Sequence, residues 1–196
     1  IHNILININK FNYSIDHKKN NILLNNYSQR DKDFIINVCL TTMRYFFHIN
    51  NILKKYVKKN NKIHQKILLM SAVCQIVFLN FKEYAVIDCS VEISKKLKIF
   101  PGLINSVLKN ISKNKSELKN ISINYEVFPA WFKKEFNNES KEKKKIFLKN
   151  FYNKPNLHIV FKSGLQLRKF EKKVIKTSEV SGFIEDETEK IFTLSS

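Results

Sequence analysis

Glycine, proline and cysteine each occur only three times in this 196-residue chain. The glycines, at 102, 164 and 182, are too few and too scattered to build the Gly-rich strand-to-helix turn that lets a backbone approach a dinucleotide or a nucleotide phosphate. The prolines, at 101, 129 and 155, leave long stretches in which helices can run uninterrupted. Cys39, Cys74 and Cys89 are odd in number, widely spaced and set in apolar helical patterns, which excludes a disulfide framework and predicts reduced core thiols in a cytoplasmic protein. The longest apolar block, 67–79, is interrupted by Ser71 and Gln75 and falls short of the roughly 20 residues a membrane span needs. No secretory signal is visible, and the chain starts at Ile1.

Acidic residues are also scarce, 17 against 35 basic ones, for a formal charge of +18. Such an excess points to a polyanionic partner, either nucleic acid or an anionic surface. Arginine occurs only at Arg30, Arg44 and Arg168, so nearly all the cations are lysine. Abundant lysine, asparagine and isoleucine are what an AT-rich coding sequence produces, and part of the charge carries no selection for a partner. Hydrophobic residues make up 43% of the chain, enough for a packed core.

The apolar spacing predicts mainly helix. Ile4, Leu5, Ile8 and Phe11, then Ile15, Ile22, Leu23 and Leu24, suggest two short helices around an Asn-rich turn. Ser28 and Asp31 form a variant capping box. From there one helical period runs through Ile35, Val38, Cys39, Thr42, Phe46 and Ile49 to Tyr56 and Val57. Residues 66–79 are apolar on nearly every face and belong at the centre of a bundle. Val86, Cys89, Ile93 and Leu97 predict the inner stripe of the next helix, with Glu92, Lys95 and Lys96 outward. Pro101 suits a first helical turn, followed by the stripe Leu103, Ile104, Val107, Leu108 and Ile111. The polar stretch 112–120 reads as a domain edge. Beyond it, 128–136 and 141–152 predict two short helices, 157–162 a strand, 165–177 a helix, and the segment from Gly182 one or two more strands. An incomplete sheet of this kind seldom stands alone, which predicts that the chain breaks off inside a larger protein.

The segments YSQRDKDFIINVCLTTMRYF (27–46), SAVCQIVFL (71–79) and VEISKKL followed by GLINSVLKNI resemble successive helices of the NusB fold. FPAWFKKEF (128–136) and NKPNLHIVFKS (153–163) resemble the segments that follow that fold in RsmB-type ribosomal RNA cytosine-C5 methyltransferases. The resemblance covers most of the chain. It implies a NusB-like antiparallel helical bundle over 1–118, linker helices over 119–152, and the beginning of a small α/β subdomain over 153–196. It also implies an RNA partner, 16S ribosomal RNA, and no membrane or metal. The departures are lysines where that family carries arginine, and Phe100-Pro101 ahead of Gly102.

In that family the chemistry needs S-adenosylmethionine and a cysteine preceded by threonine or proline, whose thiolate attacks the cytosine ring. Here Val38, Val73 and Asp88 precede the cysteines, so the chain should bind no cofactor of its own and be catalytically silent. His2, His17, His48, His64 and His158 have no ligand spacing for zinc, although His48 and His64 could lie close in a bundle. The candidate RNA contacts are Lys54, Lys55, Lys58, Lys59 and Lys62, then Lys95, Lys96 and Lys98, then Lys109 and Lys113, and further on Arg168 and Lys169. Equally weighted is the bland alternative, solvated helix faces. Trp131 and Phe132 could form a stacking platform, but packing between linker and bundle is the favoured role. Asn105 reads as a buried amide linking helices. Two other functions remain open: a free-standing antitermination factor that binds leader RNA beside a ribosomal protein, and a helical scaffold that binds no RNA.

Overall fold

A computed structural model describes residues 1–57, 62–120, 125–153, 157–164 and 174–184. They fall into two compact units, Ile1–Leu148 and Lys149–Ser196. The first is helical. The two short opening helices are α1 (His2–Phe11) and α2 (Lys18–Leu24). Helix α3 (Gln29–Arg44) begins at Ser28, whose hydroxyl accepts from the Asp31 backbone N–H at 3.2 Å. The same hydroxyl donates to the Asp31 carboxylate at 2.7 Å, so the aspartate side chain closes on the cap residue's side chain.

The single helical period predicted from Ser28 to Val57 is broken at Tyr45, where φ is −94° and ψ 16°, and α4 (Phe46–Tyr56) follows. Thr42 donates its hydroxyl to the Val38 carbonyl at 2.7 Å, a back-bond that bends helices. The bend lays the Tyr45 ring on Phe78, with centroids 4.0 Å apart and planes at 13°.

Helix α5 (Ile63–Val73) is the centre of the bundle, as its all-round apolarity predicts. Every residue from Ile67 to Val73 is buried, and α5 touches α1, α3, α4, α6 and α7. It runs on as one π-helical turn, Cys74–Phe78, in which the Leu79 N–H reaches back to the Cys74 carbonyl at 3.0 Å. Gln75 explains the widening. Its side-chain amide donates to the Ser71 carbonyl at 3.0 Å, the acceptor its own backbone N–H would take in an α-helix.

Helices α6 (Glu83–Lys96) and α7 (Pro101–Lys113) form an antiparallel hairpin, with Pro101 at the first position of α7 as expected. The inner face of α6 differs from the predicted stripe. Val86, Ile87, Ser90 and Ser94 are buried, whereas Cys89 and Ile93 are exposed. Ser90 and Ser94 can go inside because each satisfies its hydroxyl on its own helix, donating to the Val86 carbonyl at 2.7 Å and the Val91 carbonyl at 2.6 Å. Short α8 (Lys115–Asn120) buries Leu118. A 3-10 turn (Tyr125–Val127), α9 (Ala130–Glu135) and α10 (Lys141–Tyr152) come next.

The α6–α7 turn carries a local conflict. Lys98 sits at φ 55°, with its N–H on the Lys95 carbonyl and the Ile99 N–H on the Ser94 carbonyl. This is a Schellman ending, whose left-handed position favours glycine. Lys98→Gly should therefore stabilise the protein by about 1 kcal/mol, read as a higher urea midpoint at unchanged slope. A lower midpoint would show that the lysine side chain contributes more than its backbone costs.

His48 is 3% exposed on α4, its ring edge-on to Phe78 at 5.5 Å. Burial lowers its pKa; a hydrogen bond with the Leu118 backbone opposes this, and the positive charge of Lys55 adds to it. The folded state thus keeps the ring neutral where the unfolded chain protonates near pH 6.5. Below that pH the unfolded state binds the extra proton, so stability should fall as pH drops from about 7 to 5. The urea midpoint of His48→Gln followed over this range should fall less than that of the parent; equal falls would remove His48 from the account.

In the second unit β1 (Leu157–Val160), β3 (Ser181–Ile184) and β2 (Ile175–Lys176) form an antiparallel sheet in that order. Leu157 faces Ile184, Val160 faces Ser181, and Ile175 faces Phe183. The helix predicted for 165–177 ends in strand instead at Ile175–Lys176, and its first nine residues lie outside the described residues. Adjacent Val174 and Ile175 favour the extended form once β3 offers pairing. Gly182 is needed at that pairing, since a Cβ would collide with the Val174 side chain and stand 2.6 Å from the Ile175 carbonyl oxygen.

Candidate nucleic-acid interface

Helix C-termini expose unpaired carbonyls and a negative dipole end, so lysines accumulate there for local reasons. Lys54 and Lys55 occupy the last turn of α4, Lys95 and Lys96 that of α6, and Lys113 that of α7. The fold decides where these ends go. The Asn114 amide donates to the Tyr56 hydroxyl at 3.1 Å and to the Asn110 carbonyl at 3.0 Å, which pins the end of α4 to the end of α7. Lys54, Lys55 and Lys113 therefore meet at one end of the bundle, with Lys109 one turn back. All four are exposed, and none makes an ion pair among the described residues. Glu83, a carboxylate brought to the same end, is engaged by Lys115 at 2.6 Å, and that hydrogen bond holds its pKa below the ordinary value.

The second cluster lies elsewhere. Lys95, Lys96 and Lys98 sit where α6 turns into α7, at the other end of a 14-residue helix about 20 Å long. Lys95 is bridged to Glu92 at 2.6 Å. Lys96 lines a cavity of about 770 Å³ that also holds Asp31. Lys62 is exposed at the N-cap of α5. Lys58, Lys59, Arg168 and Lys169 lie outside the described residues. Among the described residues, Lys54, Lys55, Lys109 and Lys113 on one side and Lys95, Lys96 and Lys98 on the other thus form two separate groups rather than one patch.

One feature was missed in sequence. Helix α4 and the segment 126–129 enclose a groove of about 620 Å³, into which α4 presents Phe46, Phe47, Asn50, Asn51 and Lys54. Their spacing of three to four residues marks one helix face and was the available signal. Phe128 closes the far side, its ring 5.2 Å from Phe47.

The expectation that Trp131 packs between linker and bundle is corrected: its side chain is 68% exposed. Phe132 does pack, with ring centroids 4.9 Å from Phe128, 5.1 Å from Phe136 and 5.4 Å from Phe147. On so short a helix only one of two adjacent aromatics can face that cluster. Asn105 is half-buried and its side chain makes no hydrogen bond among the described residues, so it does not link helices as expected. His64 meets His2, not His48, with ring nitrogens 3.0 Å apart.

Cys39 and Cys74 are buried, and burial pushes their thiols up to about 11 and about 12. They are poor nucleophiles at neutral pH. Cys89, expected in the core, is exposed because the α6 face turns toward Ser90. Among the described residues no three His, Cys, Asp or Glu side chains are grouped to hold a metal ion, and no helix is long and apolar enough to cross a membrane.

A family model described as the NusB family matches residues 2–113, from the start of α1 to the end of α7. No curated protein matches the chain.

Proposed function

This chain belongs to the NusB family, and from that premise we propose that its helical bundle binds RNA, gripping backbone phosphates with the joined ends of α4 and α7. The observation that carries this is the set of four exposed lysines, Lys54, Lys55, Lys109 and Lys113, around the Tyr56–Asn114 pin, none of them in an ion pair among the described residues. Charge alone would fit a solvated face. Convergence of two lysine-bearing helix ends, with the nearby Glu83 already engaged by Lys115, favours a site that accepts phosphates.

The finer proposal is that the bundle serves a ribosomal RNA cytosine-C5 methyltransferase of the RsmB type and positions 16S ribosomal RNA. Its support is the chain beyond the matched family. FPAWFKKEF contributes α9, and NKPNLHIVFKS contributes β1 of a second compact unit. A free-standing antitermination factor gives neither segment a role. In such an enzyme S-adenosylmethionine and the attacking cysteine would belong to a part distinct from this bundle, which accords with thiols held up near 11 and 12.

Anisotropy of a labelled single-stranded RNA at about 50 mM salt tests the reading. The chain should saturate the RNA at micromolar concentration, and calorimetry against S-adenosylmethionine should show no heat of binding. RNA that stays free under these conditions would favour the scaffold function, and micromolar cofactor binding would overturn the assignment of chemistry to another part of the enzyme.

A further inference from the structure

The groove between α4 and the segment 126–129 has the chemistry of a nucleotide site. Its walls include the rings of Phe46, Phe47 and Phe128. Asn50 and Asn51 are half-buried there, and neither amide makes a hydrogen bond among the described residues. Each therefore presents an unused donor and an unused acceptor, the pair of functions a base edge requires. Lys54 and Lys66 line the same groove, and the Lys66 ammonium lies 5.5 Å from the Phe46 ring centroid. The one carboxylate in the lining, Glu126, is bridged to Lys133 at 2.9 Å, so the two cations outweigh it. At about 620 Å³ the space accommodates one nucleotide.

Trp131 extends this surface. It follows Pro129, the last lining residue, by two positions and is 68% exposed. Phe132 meets it at 5.7 Å with planes at 83°, an edge-to-face contact that steadies the indole while leaving it open to solvent. Large exposed aromatics beside lysines are how proteins hold unpaired bases.

We infer that this groove seats one unpaired nucleotide of the bound RNA, its base between the aromatic wall and the Asn50 and Asn51 amides, its phosphates on Lys54 and Lys66, with Trp131 stacking on a neighbouring base. This rests on the RNA-binding reading and adds a preference the lysine cluster cannot supply, single strand over duplex.

Trp131 is the chain's only tryptophan, so its fluorescence reports on the site directly. Titration with a single-stranded oligoribonucleotide should quench it, and the blunt duplex of the same sequence should not. Trp131→Ala should weaken single-strand binding by about 5- to 100-fold and leave duplex binding unchanged, while Trp131→Phe retains most of the affinity. Replacing Asn50 and Asn51 together by alanine should reduce the preference for the strand over one carrying abasic positions, the remainder coming from stacking on the aromatic rings. Unchanged circular dichroism would show that each variant is folded; if the asparagine pair unfolds the chain, the two Trp131 variants decide alone. RNA bound at low salt without quenching, with Trp131→Ala binding as tightly as the parent, would overturn the site and leave the lysine interface standing. No RNA binding at all would overturn both.

Discussion

Replacing Ile76 by alanine should destabilise the first unit by about 3–4 kcal/mol. Ile76 is fully buried in the π turn that continues α5, the helix contacted by five others. Removing its three outer carbons deletes apolar burial and leaves a cavity, because neighbours held on separate helices cannot all close in. The π turn, with the Gln75 amide fastened to the Ser71 carbonyl, also fixes the backbone, which limits relaxation. Ile93→Ala is the internal comparison: the same deletion at a side chain 37% exposed on α6 should cost under about 1 kcal/mol. Urea unfolding of both variants checks the pair. A loss below about 0.5 kcal/mol at Ile76 would place the bundle's centre elsewhere.

The largest functional effect is expected at the joined ends of α4 and α7. Reversing Lys54, Lys55 and Lys113 to glutamate should weaken RNA binding by roughly 100-fold near 0.1 M salt. This allows about 1 kcal/mol per position for lost attraction and new repulsion, at the upper end for exposed pairs. The loss should be similar for unrelated sequences, since phosphate contacts do not read bases. Reversing Lys95, Lys96 and Lys98 introduces the same charge change at the opposite end of the α6–α7 hairpin and should cost less than about 5-fold. Equal losses would mean that total charge, and not place, governs binding.

Much of the bundle was legible in sequence because burial on helices leaves a periodic trace. The all-round apolarity of 67–79 located the central helix, and the Pro101 start and Ile104–Ile111 stripe located α7. The α6 face was misjudged because hydropathy ranks cysteine and isoleucine above serine, while Ser90 and Ser94 satisfy their hydroxyls on α6 and can be buried. The break at Tyr45 was hidden because its causes, the Thr42 back-bond and the stack on Phe78, do not disturb the spacing. The strand at Ile175–Lys176 depends on partners six to eight residues on, which local patterning does not reveal.

The site was legible only as residue type. Lysine runs marked helix ends, but nothing local tells that Asn114 reaches Tyr56 across 58 positions and joins two of them. The groove was missed for a related reason. Phe47, Asn50, Asn51 and Lys54 mark a face of α4, yet the opposing wall comes from 126–129, far along the chain. Trp131 and Phe132 are adjacent and alike in hydropathy; only the cluster of Phe128, Phe136 and Phe147 selects which of them turns inward.

The most direct measurement of the central claim is the salt dependence of RNA affinity in the parent chain and in the Lys54, Lys55 and Lys113 reversal. With four or five lysines on phosphates and roughly 0.7 ion released per contact on a single strand, log affinity against log salt should fall with a slope of about −3 to −3.5. In the reversed variant the slope should shrink to about −1. A parent slope near zero, or a slope unchanged by the reversal, would contradict an RNA interface at the joined ends of α4 and α7.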